Sequence, residues 1–380
     1  GNNNNGHGSN NNNSNNSSNN NNSNNNGNNN KIKQTSKEDL PYSSFLPSSK
    51  TRPKEAPERI IERGEINDND DHINGSNSHN SYQQTNKKTY HYKKIEQALN
   101  SENVDLIALR KLSWNGVPKE FRAMVWQLLL GYLPTNKSRR EQTIQRKRKE
   151  YLDTIPIYFS INEDDRTTQE SETLRQILVD LPRTCPNMPF FQQNSIQKAM
   201  ERILYIWSIR HPASGYVQGI NDLLTPILLV FMNNYVTDAL QCDLSTIDQQ
   251  IITDVEADSY WCLTKLMDNI QDHYTFSQPG LQRMVLRLED LIRRIDIELH
   301  EHLQEQSVLY MQFAFRWMNC LLLRELPITI VLRLWDTYLS EERKGFDNFH
   351  VYVCAVILKM FSDEVKSLQF SEILLLLQDL

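Results

Sequence analysis

Two short segments carry side chains suited to chemistry. Ile177-Leu178-Val179-Asp180-Leu181-Pro182-Arg183-Thr184 places an arginine beside a proline, and Tyr216-Val217-Gln218-Gly219-Ile220-Asn221 places a glutamine beside a glycine. A guanidinium offers fixed positive charge and a planar donor fork to phosphoryl oxygens. A glutamine amide donates and accepts at once, which suits a water held in line for attack. Fast hydrolysis of a nucleoside triphosphate needs both functions. Pro182 ends the preceding helix, so Arg183 starts a loop that Thr184 and Pro186 keep from resuming a helix at once. Asp180 is placed to hold the guanidinium or to cap loop amides. Gln218 is expected in the first turn of a helix beginning near Tyr216, where the amide ends and macrodipole favour an anion. Gly219 would let another backbone approach closely, with Asn221 and Asp222 bracing the turn. Each residue taken singly also has an ordinary reading, a solvated loop arginine or a surface glutamine near a helix start, and spacing alone does not bring the two to one site.

The elements that must position them read as helices almost throughout. Apolar residues recur at helical spacing over Tyr92–Leu99, Asp105–Leu112 and Pro118–Leu130, where Phe121, Val125, Leu128 and Leu129 form a stripe. Thr173–Leu181 is helical up to Pro182, and Asn194–Ile209 sets Ile196, Met200, Ile203, Leu204 and Trp207 on one face. His211–Gly215 is a turn, and the next helix runs from Tyr216 to Asn233 with a kink expected at Pro226. The acidic stretch 236–254 reads as the loosest part of the domain. Ser259–Ile270, Gly280–Glu298, Glu301–Leu303, Leu309–Leu323, Ile328–Leu339 and Phe349–Lys359 complete the set. No set of alternating strands and no fixed-period repeat is present, so the fold class is all-α with short connections.

Composition sets the outer limits. Twenty of the first thirty residues are Asn, and the chain stays Ser/Asn/Pro-rich to residue 87. Such a segment has little apolar surface to bury and is expected to be disordered; the folded domain is expected over residues 88–380. All six Trp lie at or after Trp114. A formal net charge of −6 argues against a general nucleic-acid binder. One basic run, Lys137–Lys149, reads as the solvated face of a helix or loop, or as a patch for an anionic membrane or acidic partner. The five cysteines show no C-x-x-C pair and no zinc-knuckle spacing, and their odd count without a signal peptide predicts reduced thiols in the cytosol. The apolar stretches Leu223–Val230 and Val308–Leu323 are too short or too interrupted to span a membrane. No metal site is expected: His300 and His302 neighbour Glu298 and Glu301, but i and i+2 do not share a helix face, and they read as surface residues. The start at Gly and the terminal apolar run Ile373–Leu377 suggest a fragment whose last helix is cut or lacks its packing partner.

Taken in order, these residues resemble the TBC-domain family of Rab GTPase-activating proteins, nearest its Gyp-type branch. Arg122-x-x-x-Trp126-x-x-Leu129-x-Gly131 looks like the opening motif, Ile177–Thr184 matches I-x-x-D-x-x-R-T, and Tyr216–Asn221 matches Y-x-Q-G-x-N. Glu256-Ala257-Asp258-Ser259-Tyr260-Trp261 and Leu334-Trp335-Asp336 follow in the family's order. The resemblance implies an all-helical, two-lobed, V-shaped domain that grips a Rab in its GTP form. It implies that Arg183 is an arginine finger and Gln218 a glutamine finger, supported by Asp180, Thr184, Tyr216, Gly219 and Asn221. Arg122, Trp126, Trp335 and Asp336 match structural positions: the tryptophans as core, Arg122 or Asp336 in a buried ion pair. GTP and Mg²⁺ would belong to the partner, so the chain itself would need no cofactor. A cytoplasmic protein associated peripherally with endomembranes such as the Golgi follows from the same resemblance. The competing reading is a non-catalytic adaptor that binds Rabs or other partners through its helical surface and polar tail.

Overall fold

A computed structural model of the chain describes residues 77–341 and 345–380, with side chains from Thr89 onward. Of the expected Asn-rich tail, residues 1–76 lie outside the described residues. The backbone is helical from Asn77, so the first helix begins inside the segment that composition assigned to the tail.

The described residues form helices joined by short turns, with one isolated antiparallel bridge between Asn103 and Asn136. In chain order the α-helices are α1 (Asn77–Asn100), α2 (Leu106–Ser113), α3 (Lys119–Leu129), α4 (Arg140–Leu152), α5 (Thr168–Asp180), α6 (Pro189–Gln192), α7 (Asn194–Arg210) and α8 (Ile220–Met232). They continue as α9 (Gln249–Asn269), α10 (Pro279–Ile295), α11 (Ile297–Glu305), α12 (Tyr310–Asn319), α13 (Ile328–Ser340), α14 (His350–Met360), α15 (Ser362–Lys366) and α16 (Phe370–Gln378). Among the described residues no helix is long and apolar enough to cross a membrane.

Two apolar cores organise these helices. The first gathers α1 to α9 and recruits α13 from much later in the sequence. At its centre is α8, buried along its whole length from Ile220 to Met232, as befits a helix that past Asp222 is apolar on every side but for Thr225. Pro226 lies within α8 and cannot donate to the carbonyl of Asp222; the hydroxyl of Thr225 takes that acceptor at 2.8 Å, and the helix runs on without a break. The second core joins α10, α11, α12, α14, α15 and α16. In α10 the buried positions Leu281, Met284, Val285, Leu288 and Ile292 fall on one face, leaving arginines on the other.

Several boundaries differ from the sequence reading, each for a local reason. The loose stretch expected over 236–254 gives way at Gln249, where Asp248 caps α9 by accepting from the amide of Gln250 at 2.9 Å. The single helix expected over Gly280–Glu298 breaks at Asp296, which instead caps α11 through the amide of Leu299 at 3.2 Å. The helix expected to reach Leu323 stops at Asn319, and Leu321 and Leu322 follow with φ of 50° and 61°. The last helix is packed after all: Ile373 and Leu377 enter the second core, and the Trp317 indole donates to the carbonyl of Leu377 at 3.0 Å.

The landmark residues outside the segments bearing Arg183 and Gln218 join helices distant in sequence through buried contacts. Asp336, with no exposed surface, accepts from Arg122 Nε at 3.0 Å, Trp126 Nε1 at 2.8 Å and the amide of Val117 at 2.9 Å. Trp126 stacks on Trp335 with ring centroids 5.7 Å apart. This cluster fastens α3 to α13 across more than half the domain. Glu256 likewise accepts from Arg202 and from the Tyr151 hydroxyl, joining α9 to α7 and α4.

Candidate functional site

The segment bearing Arg183 is set by α5. A capping box between Thr167 and Glu170 starts that helix, and it ends at Asp180 in a tight turn over Leu181–Arg183 that contains Pro182. Thr184 is fully buried and its hydroxyl donates to the carbonyl of Asp180 at 2.9 Å, closing the turn. Arg183 projects from it, exposed.

The segment bearing Gln218 departs from the expectation. The helix does not begin at Tyr216. It begins at Ile220, with Gly219 as its cap at φ 110°, so Gln218 lies in the turn ahead of the helix rather than in its first turn. The closeness that Gly219 permits is also of a different kind. A Cβ at this position would stand 2.4 Å from Nδ2 of Asn319, so the neighbour is a side chain at the end of α12 and not a backbone. That same Nδ2 donates to the carbonyl of Gln218 at 2.9 Å.

One hydrogen-bonded network joins the two turns. The Tyr216 hydroxyl donates to Oδ2 of Asp180 at 2.9 Å and lies 3.3 Å from Oδ1 of Asn221. Asn221 accepts from the amide of Gly219 at 2.9 Å and donates through Nδ2 to the Thr184 hydroxyl, also at 2.9 Å. Asp180, Thr184, Tyr216, Gly219 and Asn221 are therefore a single connected unit, and the residues on either side of it are Arg183 and Gln218. Asp180 bonds Tyr216 rather than holding the guanidinium or capping loop amides, the two roles that the sequence offered. Burial pushes its carboxyl above the usual carboxylate range, against the Tyr216 hydrogen bond and the nearby charges of Arg183 and Arg324, which pull it down. Burial beside Asp180 likewise drives the Tyr216 hydroxyl well upward, so it remains a donor at neutral pH.

Sequence reasoning expected Asp222 to brace the turn but missed the residues it braces against. Asp222, at the start of α8, accepts from Arg324 at 2.8 Å and from the Cys320 thiol at 3.5 Å. With Asn319, these residues anchor the glutamine turn to the segment after α12. Adjacent polar residues following an aromatic helix are the only sequence signal for them, and it does not point to the turn a hundred residues earlier.

Other expectations sort differently. The Lys137–Lys149 run is mostly α4, and much of it faces inward. Arg140 is buried and donates to the carbonyls of Leu99 and Thr135. Arg148 pairs with Asp254 and Asp258, and the Lys147 ammonium sits 3.8 Å from the centroid of the Trp261 ring. Lys137, Arg139, Arg146 and Lys149 remain exposed. His300 is buried rather than on the surface, lying 3.3 Å from the Tyr310 hydroxyl, while His302 bonds the carbonyl of Leu368. Among the described residues no group of three or more His, Cys, Asp or Glu is placed to hold a metal ion.

Residues 119–366 match the family model described as the Rab-GTPase-TBC domain. The chain belongs to the Rab-GTPase-TBC domain family. This TBC domain is 51% identical over 289 residues to TBC1 domain family member 22B of Homo sapiens, covering 76% of the chain and 56% of that relative. It is 48% identical over 290 residues to GTPase-activating protein gyp1 of Schizosaccharomyces pombe, covering 76% of the chain and 56% of the relative. The chain thus spans little more than half the length of the curated relatives it matches. Among solved structures, the Ypt/Rab-GAP domain of Gyp1p superposes with a TM-score of 0.72 at 46% identity, covering 77% of this chain and 91% of that one. A flagellar RabGAP TBC domain of Chlamydomonas, at 18% identity and a TM-score of 0.53, shares the fold over 79% of this chain and 86% of that one. The all-α class and the Gyp-type resemblance agree with these likenesses.

Proposed function

We propose that this TBC domain accelerates GTP hydrolysis by a Rab-family GTPase in its GTP form, with Arg183 and Gln218 supplied in trans to the partner's nucleotide site. The observation that carries the reading is the Asp180–Tyr216–Asn221–Thr184 network, which fastens the two turns together while Arg183 stays exposed. Relatives named GTPase-activating proteins support the reading. In the complex the Arg183 guanidinium would neutralise charge developing on the γ-phosphoryl oxygens, and Gln218 would orient the attacking water. GTP and Mg²⁺ enter with the partner, and the chain itself supplies neither. A role in vesicle trafficking, at endomembranes such as the Golgi, follows from that partner class. Any contact with an anionic membrane or acidic partner through the basic run falls to Lys137, Arg139, Arg146 and Lys149.

Single-turnover hydrolysis across a panel of GTP-loaded Rabs tests this. Arg183→Ala is expected to lower the stimulated rate by about 10³-fold or more, and Gln218→Ala by about 10²-fold. Arg183→Lys should rescue little, because an ammonium lacks the planar fork. Stimulation that survives both alanine substitutions overturns the mechanism. Capture of a GTP-loaded Rab with no stimulation by the unsubstituted chain would establish the adaptor reading instead.

A further inference from the structure

Phe276 is 94% exposed, on the loop between α9 and α10. The residues around it are held firmly. Tyr274, two residues earlier, has no exposed surface, and its hydroxyl donates to the carbonyl of Asn319 at 2.6 Å. Asn319 is the residue whose amide holds the carbonyl of Gln218. The loop carrying Phe276 and the turn carrying Gln218 are therefore fastened to the same residue, one through its backbone and the other through its side chain.

The far side of the loop is equally constrained. Ser277 and Gln278 both adopt left-handed backbone, with φ of 62° and 45°. Non-glycine residues persist there only where the surroundings over-determine the conformation, and such positions cluster at ligand clamps and functional sites. The loop also closes tightly at Gly280, where a Cβ would meet His273 Cδ2 at 2.4 Å and Asp272 Oδ1 at 2.8 Å. Asp272 is in turn paired with Arg283 of α10. A stiff loop thus holds a phenyl ring in water. An aromatic side chain presented in this way loses little freedom when it is covered and brings a large apolar area to a contact.

We propose that Phe276 is the aromatic anchor by which this chain docks its partner GTPase, its ring seated in an apolar depression beside the partner's nucleotide site. The proposal rests on the GTPase-activating reading and names the docking residue for it. Commitment to this partner comes from the connection through Asn319: whatever covers Phe276 lies against the loop that shares an attachment with Gln218. Phe276 touches no reacting group, so it contributes binding that is equal in the ground state and the transition state.

The test uses the full chain and a GTP-loaded Rab that it accelerates. Phe276→Ala should raise KM by about 10- to 100-fold, the range of a central aromatic contact, with kcat within about threefold. Arg183→Ala should give the opposite split, with kcat falling. Phe276→Leu should recover most of the lost affinity and Phe276→Asp none. In a direct titration on the Arg183→Ala background, adding Phe276→Ala should weaken binding of the GTP-loaded Rab by at least about tenfold. Because the ring is exposed, the melting temperature should not change, which separates lost docking from lost fold. KM and affinity within about twofold of the unsubstituted chain would overturn the anchor while leaving the activity intact. Failure of the unsubstituted chain to accelerate any Rab would remove the reading beneath it, and the anchor with it.

Discussion

Arg183 and Gln218 are ordinary residues until their neighbours are counted. What distinguishes them is that five other side chains and amides join the turns that carry them. Tyr216 is the most consequential of these, since its hydroxyl reaches both Asp180 and Asn221. Tyr216→Phe keeps the ring and removes both hydrogen bonds, one of them to a carboxylate. The expected cost is about 2 kcal/mol in stability, read from urea unfolding, together with a fall of roughly tenfold in stimulated hydrolysis as the two turns lose registration. A variant with full activity would show that the network shapes the fold without positioning Arg183 and Gln218. Both segments were legible as chemistry from their residue types. Their connection was not, because hydrogen bonds between residues 36 and 37 positions apart leave no periodicity to read.

At the scale of elements, the turn before α8 is the sensitive part. Gly219 is needed twice, once for its φ of 110° and once for the space that Asn319 occupies. Gly219→Ala should cost about 1–3 kcal/mol from backbone strain alone, and should depress activity at least as far as Gln218→Ala. Adding Asn319→Ala relieves the clash but not the strain. The double variant should therefore recover part of the stability while activity stays low, because the tether on the Gln218 carbonyl is gone. Full additivity of the two substitutions would rule out the contact as the cause. The sequence showed a glycine at a helix start but not which partner required it. It also placed the start of α9 too late, since an acidic stretch looked loose where Asp248 was supplying a cap.

At the scale of the whole molecule, single buried polar groups join helices distant in sequence. Asp336→Ala would strand the Arg122 guanidinium, the Trp126 indole and the Val117 amide in the first core, and should cost about 3–5 kcal/mol. Denaturant unfolding measures it; a loss below 1 kcal/mol would contradict the assignment of Asp336 as the link between α3 and α13. The second core contains a pH-sensitive group. His350 is fully buried, donating through Nε2 to the carbonyl of Trp317 at 3.0 Å and accepting at Nδ1 from the Tyr338 hydroxyl at 2.7 Å. Burial pushes its pKa down to about 3, against about 6.5 for an ordinary histidine. The folded state thus binds fewer protons than the unfolded state between those values. The stability this neutral ring represents is complete above pH 6.5 and is lost as pH falls toward 3. Acidification from pH 7 to pH 5 should remove about 2 kcal/mol through this group, and buried His273, also lowered, acts in the same direction. Urea midpoints at the two pH values should differ less in His350→Gln than in the unsubstituted chain.

The chain's own residues determined the helical class, the apolar faces and the identity of both finger candidates, because these depend on local spacing and side-chain chemistry. Motif order determined the family, since five weak patterns in a fixed sequence are jointly specific. Tertiary structure alone decided that Asp180 answers to Tyr216, that Asn319 ties Gln218 to the loop bearing Phe276, and that Arg148 points inward. Those outcomes depend on which distant helices pack together, and a buried charge or amide takes whatever partner the packing brings within reach.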